Sequence, residues 1–406
     1  MKKFLQTINL FKRPKNTDRR QPQQSPPTDI RESMVNIGAK LPSIFYLGIQ
    51  QALTEISGKA PKSLPALIEF SAGHRQMMTL MFVLIGIMMT SLAISLSWLG
   101  IPLYLIAFLM ISASMRTMQV SFTHYATHGT LHRNSKFNDL LGEAYSVFAL
   151  TTPMWMYKLS HIGGHHGRLN SVADPDASFF DNWGYKPGKF IEWYWMRTFC
   201  LLLSPLYYAK VLISRMRANF LPYSVDSVLT TTLPSKRVIR QRQLAAIGFH
   251  LTLPAIALAS GFGTLYLLAY LLPLIVGFAI LSLFQNLSEH QPKLVRGQNP
   301  NLKAETKYTA GRFFGKAYTP EAPLTWWTYM LFVAMPSKYL VVGNTELCSH
   351  DVHHAAESKF FLASDKQWAM APYVRRNAVS EGAVFKENWG FKATIEHSFH
   401  SLTQPK

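Results

Sequence analysis

Two stretches of this chain run for tens of residues without a single Asp, Glu, Lys or Arg, one between Arg75 and Arg116 and the other between Arg242 and Glu289. A helix crossing the hydrocarbon core of a bilayer needs roughly 17–25 residues, so each stretch has room for two crossings. Each also breaks near its middle, at Gly100-Ile101-Pro102 and at Gly261-Phe262-Gly263, where glycine and proline punctuate a helix. The pattern predicts two helical hairpins, with members near 77–98, 102–123, 243–260 and 264–286. The competing reading, two hairpins buried in a large soluble core, fits less well because helices of soluble proteins keep a charged or polar face.

Between and around the hairpins the apolar pattern is interrupted. Residues 31–72 read as short amphipathic helices on the membrane surface, with Leu64-Pro65-Ala66-Leu67-Ile68-Glu69-Phe70 leading into the first span. Residues 189–214 carry Trp193, Tyr194, Trp195, Tyr207 and Tyr208, and residues 324–343 carry Trp326, Trp327 and Tyr329. Aromatics of this kind favour the headgroup level, so both segments are expected as interfacial helices rather than spans. The fold expected is an all-α membrane protein with four transmembrane helices in two hairpins, interfacial helices and a histidine-rich cytosolic cap.

Charge adds an orientation. The 406 residues hold 41 Lys and Arg against 22 Asp and Glu, a net +19, and mean hydropathy of +0.06 averages the apolar hairpins with a basic remainder. Basic residues gather before the first hairpin (Lys2, Lys3, Lys12, Arg13, Lys15, Arg19, Arg20) and between the two (Lys210, Arg215, Arg217, Lys236, Arg237, Arg240, Arg242). Retention of positive loops in the cytoplasm puts both termini inside, with a bacterial inner membrane as the expected location. No compact basic domain with interleaved aromatics supports nucleic-acid binding. Cys200 and Cys348 are too few for a disulfide framework or a thiolate metal site. The basic start lacks the apolar stretch of a cleavable signal. The chain divides into a disordered basic tail (1–30), surface helices (31–72), a membrane domain (73–360) and a C-terminal cytosolic segment (361–406).

The chemistry resides in histidine. Ten of the 14 histidines form three clusters and one outlier: His124, His128 and His132; His161, His165 and His166; His350, His353 and His354; and His290, four residues after Asn286. On a helix, spacings of three and four place side chains on one face, about 5–6 Å apart. Nine or ten imidazoles without thiolates exceed what one four- to six-coordinate ion uses, so two ions are the simplest reading, and imidazole suits Zn, Cu, Fe and Ni. Asp174, Asp176, Glu289 and Asp351 flank the clusters as candidates to hold the second nitrogen of a metal-bound imidazole. Asp174 and Asp176 serve equally well as caps of a following helix. His132 is the weakest candidate, and His74, His250, His397 and His400 read as structural or solvated. Gly163-Gly164 inside the second cluster disfavours a regular helix, each costing about 1 kcal/mol relative to Ala, and a helix start is expected there.

In these residues the chain resembles the integral-membrane fatty acid desaturase and hydroxylase superfamily. That family is marked by three histidine boxes, matched here by His124-x3-His128, His161-x3-His165-His166 and His350-x2-His353-His354. Asn286-x3-His290 is similar to the family's extra ligand region, in which the histidine binds iron and the asparagine acts through a bound water. The resemblance covers roughly residues 65–360, departing in the diglycine and in His132. It implies a four-span fold, a di-iron centre at the cytosolic membrane surface, O2 as oxidant and an external electron donor such as a separate ferredoxin or cytochrome. A lipid or fatty-acyl desaturase is the expectation, with hydroxylation or ketolation of a lipid or terpenoid as the alternative on the same ligands. A metal transporter is the rival from another class, but transporters place ionisable ligands near mid-bilayer, and here only His250 lies deep in an expected span.

Overall fold

The computed structural model describes residues 29–166, 174–221, 234–292, 308–344, 346–354 and 364–403. The expected basic tail lies outside the described residues except for Asp29 and Ile30. After a surface helix α1 (Ser43–Ser57), four helices among the described residues are long and apolar enough to cross a membrane: α2 (Ala72–Ser95), α3 (Ser97–Thr127), then, further along the chain, Lys236–Ala259 and Gly263–Glu289. Between the two pairs stand α4 (Ser135–Phe148), α5 (154–166), α6 (Pro175–Asn182), α7 (Ile191–Leu202) and α8 (Pro205–Phe220). The second pair are α9 and α10, followed by α11 (323–341), α12 (Asp365–Ala369), α13 (Ala371–Ser380) and α14 (Phe391–Thr403).

Helices α2 and Lys236–Ala259 start earlier than the charge pattern predicts, because Arg75 and Arg242 are taken inside the fold rather than left in water. Arg75 makes a two-pronged pair with Glu55 at 2.9 and 3.1 Å and also donates to the Ala369 carbonyl. Arg242 pairs with Glu143 at 3.0 Å and donates to Ser146 Oγ. A guanidinium satisfied in this way sits in a helix without ending it. Large apolar side chains elsewhere on α2 and α9 face outward, Met88 at 70% and Leu251 at 67% exposed among them. A soluble core would have buried these faces.

Where helices do meet, small residues let them close. A Cβ on Gly86 of α2 would stand 2.5 Å from Ile111 Cγ1 of α3, and one on Gly277 of α10 would collide with Ser112 Oγ. Such small-residue contacts are the usual means of helix packing in lipid, where burial of apolar area gives no drive. The segment expected as one interfacial helix over 189–214 is instead two, α7 and α8, bent by 71°. Pro205 opens α8, where its missing N–H costs nothing.

Among the described residues, one short sheet departs from an all-α reading. Gly311–Phe313 and Glu387–Trp389 form a short parallel pair in register Gly311 with Glu387. Of the described residues near the C-terminus, Ile395 and Phe399 of α14 are fully buried, and Trp368 stacks on Tyr125 of α3 at 4.2 Å.

Candidate metal centre

The first cluster rides on the end of α3. The helix widens into a π turn over Met118–Thr123 before His124, a distortion common at functional sites. His124 Nδ1 lies 3.2 Å from the Val120 carbonyl, an acceptor only, so Nδ1 carries the proton and the Nε2 lone pair faces inward. The second cluster lies on α5, and the diglycine is not a helix start as expected. Leu159–His166 continues, in π form, the helix begun at Met154. The wider turn places His161 and His166 with their Nε2 atoms 2.8 Å apart, although five residues separate them.

His290 follows the last residue of α10 in extended conformation and is held by a bridge to Thr309 and by Ser398 Oγ donating to its carbonyl at 2.8 Å. The third cluster belongs to the tight turn Glu346–Val352, kinked at Ser349, and to the two histidines after it. Arg312, almost fully buried, clamps that turn to α10 by donating to the Leu347 carbonyl at 2.8 Å and to Ser288 Oγ at 3.1 Å.

These four segments bring nine imidazoles together. His124, His128, His161, His166 and His353 can offer nitrogens that all lie within 4.8 Å of one another; His165, His290 and His354 form a second such group, and Glu289, His290 and His350 a third. Neighbouring Nε2 atoms face each other at 3.1 Å for His124 and His353, 2.8 Å for His166 and His353, and 3.1 Å for His350 and His354. Among the described residues, both ring nitrogens of the buried His290 lack a hydrogen-bond partner. Nitrogens about 2.0–2.1 Å from a common ion stand about this far apart, and an orphaned buried imidazole is otherwise costly. The residues therefore fit one or more metal ions.

Burial keeps most of these rings neutral, the form a metal needs. It lowers His128 to about 4 and His166 to about 3, and holds His161, His290, His350, His353 and His354 well below the ordinary value, with neighbouring imidazoles adding to the effect for most. His165 is the exception. Burial would lower it too, but Asp176 and Asp174 outweigh that and raise it to about 9; the two carboxylates lie 3.0 Å (Asp174) and 3.4 Å (Asp176) from its Nδ1. Asp174 also caps α6 through the Asp176 N–H, so the two roles weighed from sequence coexist.

Glu289 lies 3.3 Å from His350 Nε2 and stands in a metal-capable group itself, closer in than the supporting place expected. Asp351 departs from expectation: its carboxylate takes Arg375 at 3.0 and 3.3 Å instead of an imidazole. His132 lies outside the groups; it accepts from the Asn134 N–H and packs on Phe137. His74 caps α2 from within a capping box with Ser71, His250 is 2.9 Å from the Val147 carbonyl, and neither these nor His397 and His400 join a group. Sequence reasoning missed Glu346, fully buried and accepting from Ser121 Oγ of α3, which ties the third cluster to the first. Its only signal is its place four residues before His350.

A cavity of about 290 Å³ opens beside the imidazoles, lined by His124, His161, His165 and His350 and by Asn286 on α10.

Comparison with known proteins agrees with this geometry. Dihydrorhizobitoxine desaturase of Bradyrhizobium elkanii is 26% identical over 216 residues, 53% of this chain; the chain spans 59% of the length of that curated relative. The family model described as fatty acid desaturase matches residues 96–333. That match takes in the first two clusters and His290 but stops before the third, which the fold alone delivers to the same place. With more than half of its length matched, the chain belongs to the fatty acid desaturase family.

Proposed function

We propose that this protein is an O2-dependent membrane desaturase whose histidines hold two iron ions. The observation that carries the reading is the convergence of nine imidazoles, seven buried and two half-buried, from four separate segments into adjoining groups. The five-histidine group would hold one ion; the others, around His165, His290, His354, His350 and Glu289, would hold the second. Bound iron would supply activation of dioxygen with two electrons from a separate donor protein, so that two neighbouring carbons lose one hydrogen each and the oxygen leaves, with two protons taken up, as two waters.

The protein's own residues set up that chemistry. Val120 and Asp174 fix which nitrogen of His124 and of His165 faces the centre. Tyr157 stacks on His161 at 5.2 Å, and Arg312 and Glu346 hold the third cluster against α10 and α3. Positioning of the substrate carbon decides between loss of a second hydrogen and gain of a hydroxyl. We place the centre on the cytoplasmic side of a bacterial inner membrane, following the basic loops.

The relative is named for dihydrorhizobitoxine, so family membership leaves the substrate open. Mass spectrometry of extracts from a host expressing this chain or its His353→Ala variant in air tests the reaction class. A product two hydrogens lighter, present only with the intact chain, is expected. A product one oxygen heavier would replace desaturation by hydroxylation.

A further inference from the structure

The cavity beside the histidines is not the greasy tunnel that a long acyl chain requires. Ligand pockets are lined mainly by apolar groups with a few polar ones. Here, besides the imidazoles, the wall carries Arg116, Gln119, Gln285, Asn286 and the exposed Lys210. Arg116 is the telling member. Its side chain is 94% buried, counting from its 6% exposure, on a span where a charge is expensive unless it has a use. Nε donates to Gln285 Oε1 at 2.9 Å and Nη1 donates to Gln119 Oε1. Both partners are neutral amides. Among the described residues no carboxylate lies within 4 Å of the guanidinium, and Nη2 has no acceptor.

The carboxylates that share the cavity are committed elsewhere, Asp176 to His165 at 3.4 Å and Glu289 to His350 at 3.3 Å. Arg215, which also lines the cavity, is spent on the carbonyls of Leu150, Leu274 and Ala149. Arg116 is thus a buried cation, held in place by two amides and stacked 5.3 Å from the Phe278 ring, with Nη2 and the second hydrogen of Nη1 left to form the open edge of its fork. A guanidinium offers that edge to a carboxylate in planar, two-pronged fashion. Arg116 precedes His124 by eight residues on α3, roughly 12 Å of rise at about 1.5 Å per residue.

We propose that the cavity binds a compact substrate through a carboxylate on Arg116, with the carbons to be desaturated held against the His124 and His161 edge. The site selects a short carboxylic acid or a polar acid of similar length. A long chain that must enter methyl end first meets a polar wall instead. The proposal rests on the desaturase reading for its chemistry, but the anion site can be tested apart from it.

The test is binding of hexanoate and of its uncharged isostere hexanamide to the full chain in nanodiscs of neutral lipid, by calorimetry, for the wild type, Arg116→Lys and Arg116→Gln. Iron content is measured on the same preparations. Hexanoate is expected to bind the wild type about tenfold or more tightly than hexanamide, as a charge-assisted fork contact implies. Arg116→Gln should lose that preference, and Arg116→Lys should keep part of it. Equal binding of the two ligands to the wild type would overturn the proposal even if no variant folds, and so would an undiminished preference in Arg116→Gln. Preference for hexanoate in a chain that retains no iron would uphold the anion site while removing the desaturase reading.

Discussion

At the residue scale the histidine boxes are legible because their spacing is local, while their supports are not. His124, His128, His161, His165, His166, His290, His350, His353 and His354 all arrive where spacing and sequence order place them. The partner of Asp351 could not be read, since Arg375 lies 24 residues on and meets it only through α13. The same holds for Glu346 and Arg116, whose meaning comes from Ser121 on another element and from a cavity. Asp174→Ala should free His165 to rotate and weaken metal affinity by about 10- to 100-fold, the usual loss when the group behind a metal-bound imidazole is removed; metal competition titration measures this. His400, exposed on α14, should tolerate Ala with no change in the same assay. The metal-free protein should also lose stability as pH falls from about 6.5, the ordinary histidine value, towards about 4, where His128 titrates in the fold. The unfolded chain's histidines bind protons through that window while His128 and His166 in the fold do not, and these together outweigh the opposite contribution of Asp176, raised by burial to about 6, so stability falls as pH falls. Denaturant midpoints between pH 7 and 5 provide the check.

At the element scale, long charge-free runs made the four apolar helices visible, and the starts of α2 and α9 slipped because a charge was absorbed at each. Arg75 and Arg242 read as borders because an isolated cation belongs in water, yet Glu55 and Glu143 meet them inside the fold. Arg75→Ala leaves Glu55 without its two-pronged partner and the Ala369 carbonyl without its donor. The expected cost is about 2–3 kcal/mol, read as a lowered unfolding midpoint in detergent. Gly86→Leu should cost a similar amount, about 1–3 kcal/mol by overpacking against Ile111. The π turns ahead of His124 and through His161 were not legible: the shift of about 100° in helix phase that an added residue brings shows only against a polar face, and Met118–Thr123 is buried almost throughout. The diglycine disfavoured a regular helix, but its sign as a helix start was wrong.

At the scale of the whole molecule, the parallel pair of Gly311–Phe313 with Glu387–Trp389 and the docking of α14 were hidden from local pattern reading, three-residue strands being shorter than any periodicity can announce. They lock the C-terminal residues to the part that carries the clusters, with Ser398 holding the His290 carbonyl. If α2 with α3 and α9 with α10 cross the bilayer as pairs, the turn at Gly261 faces away from the histidines. A cysteine at Ser260, in a background where the exposed Cys200 is serine, should react with an impermeant maleimide added outside the cell. Protection until lysis would reverse the orientation.

The central claim is that adjoining histidine groups hold two irons. Elemental analysis of the purified protein, beside His166→Ala and His354→Ala, tests it most directly, since His166 belongs to the five-histidine group and His354 to its neighbour. About two irons per chain are expected for the wild type, from the donor count, and a lowered content in each variant. A wild type that binds no iron after reconstitution, or variants that bind as much as the wild type, would contradict the account.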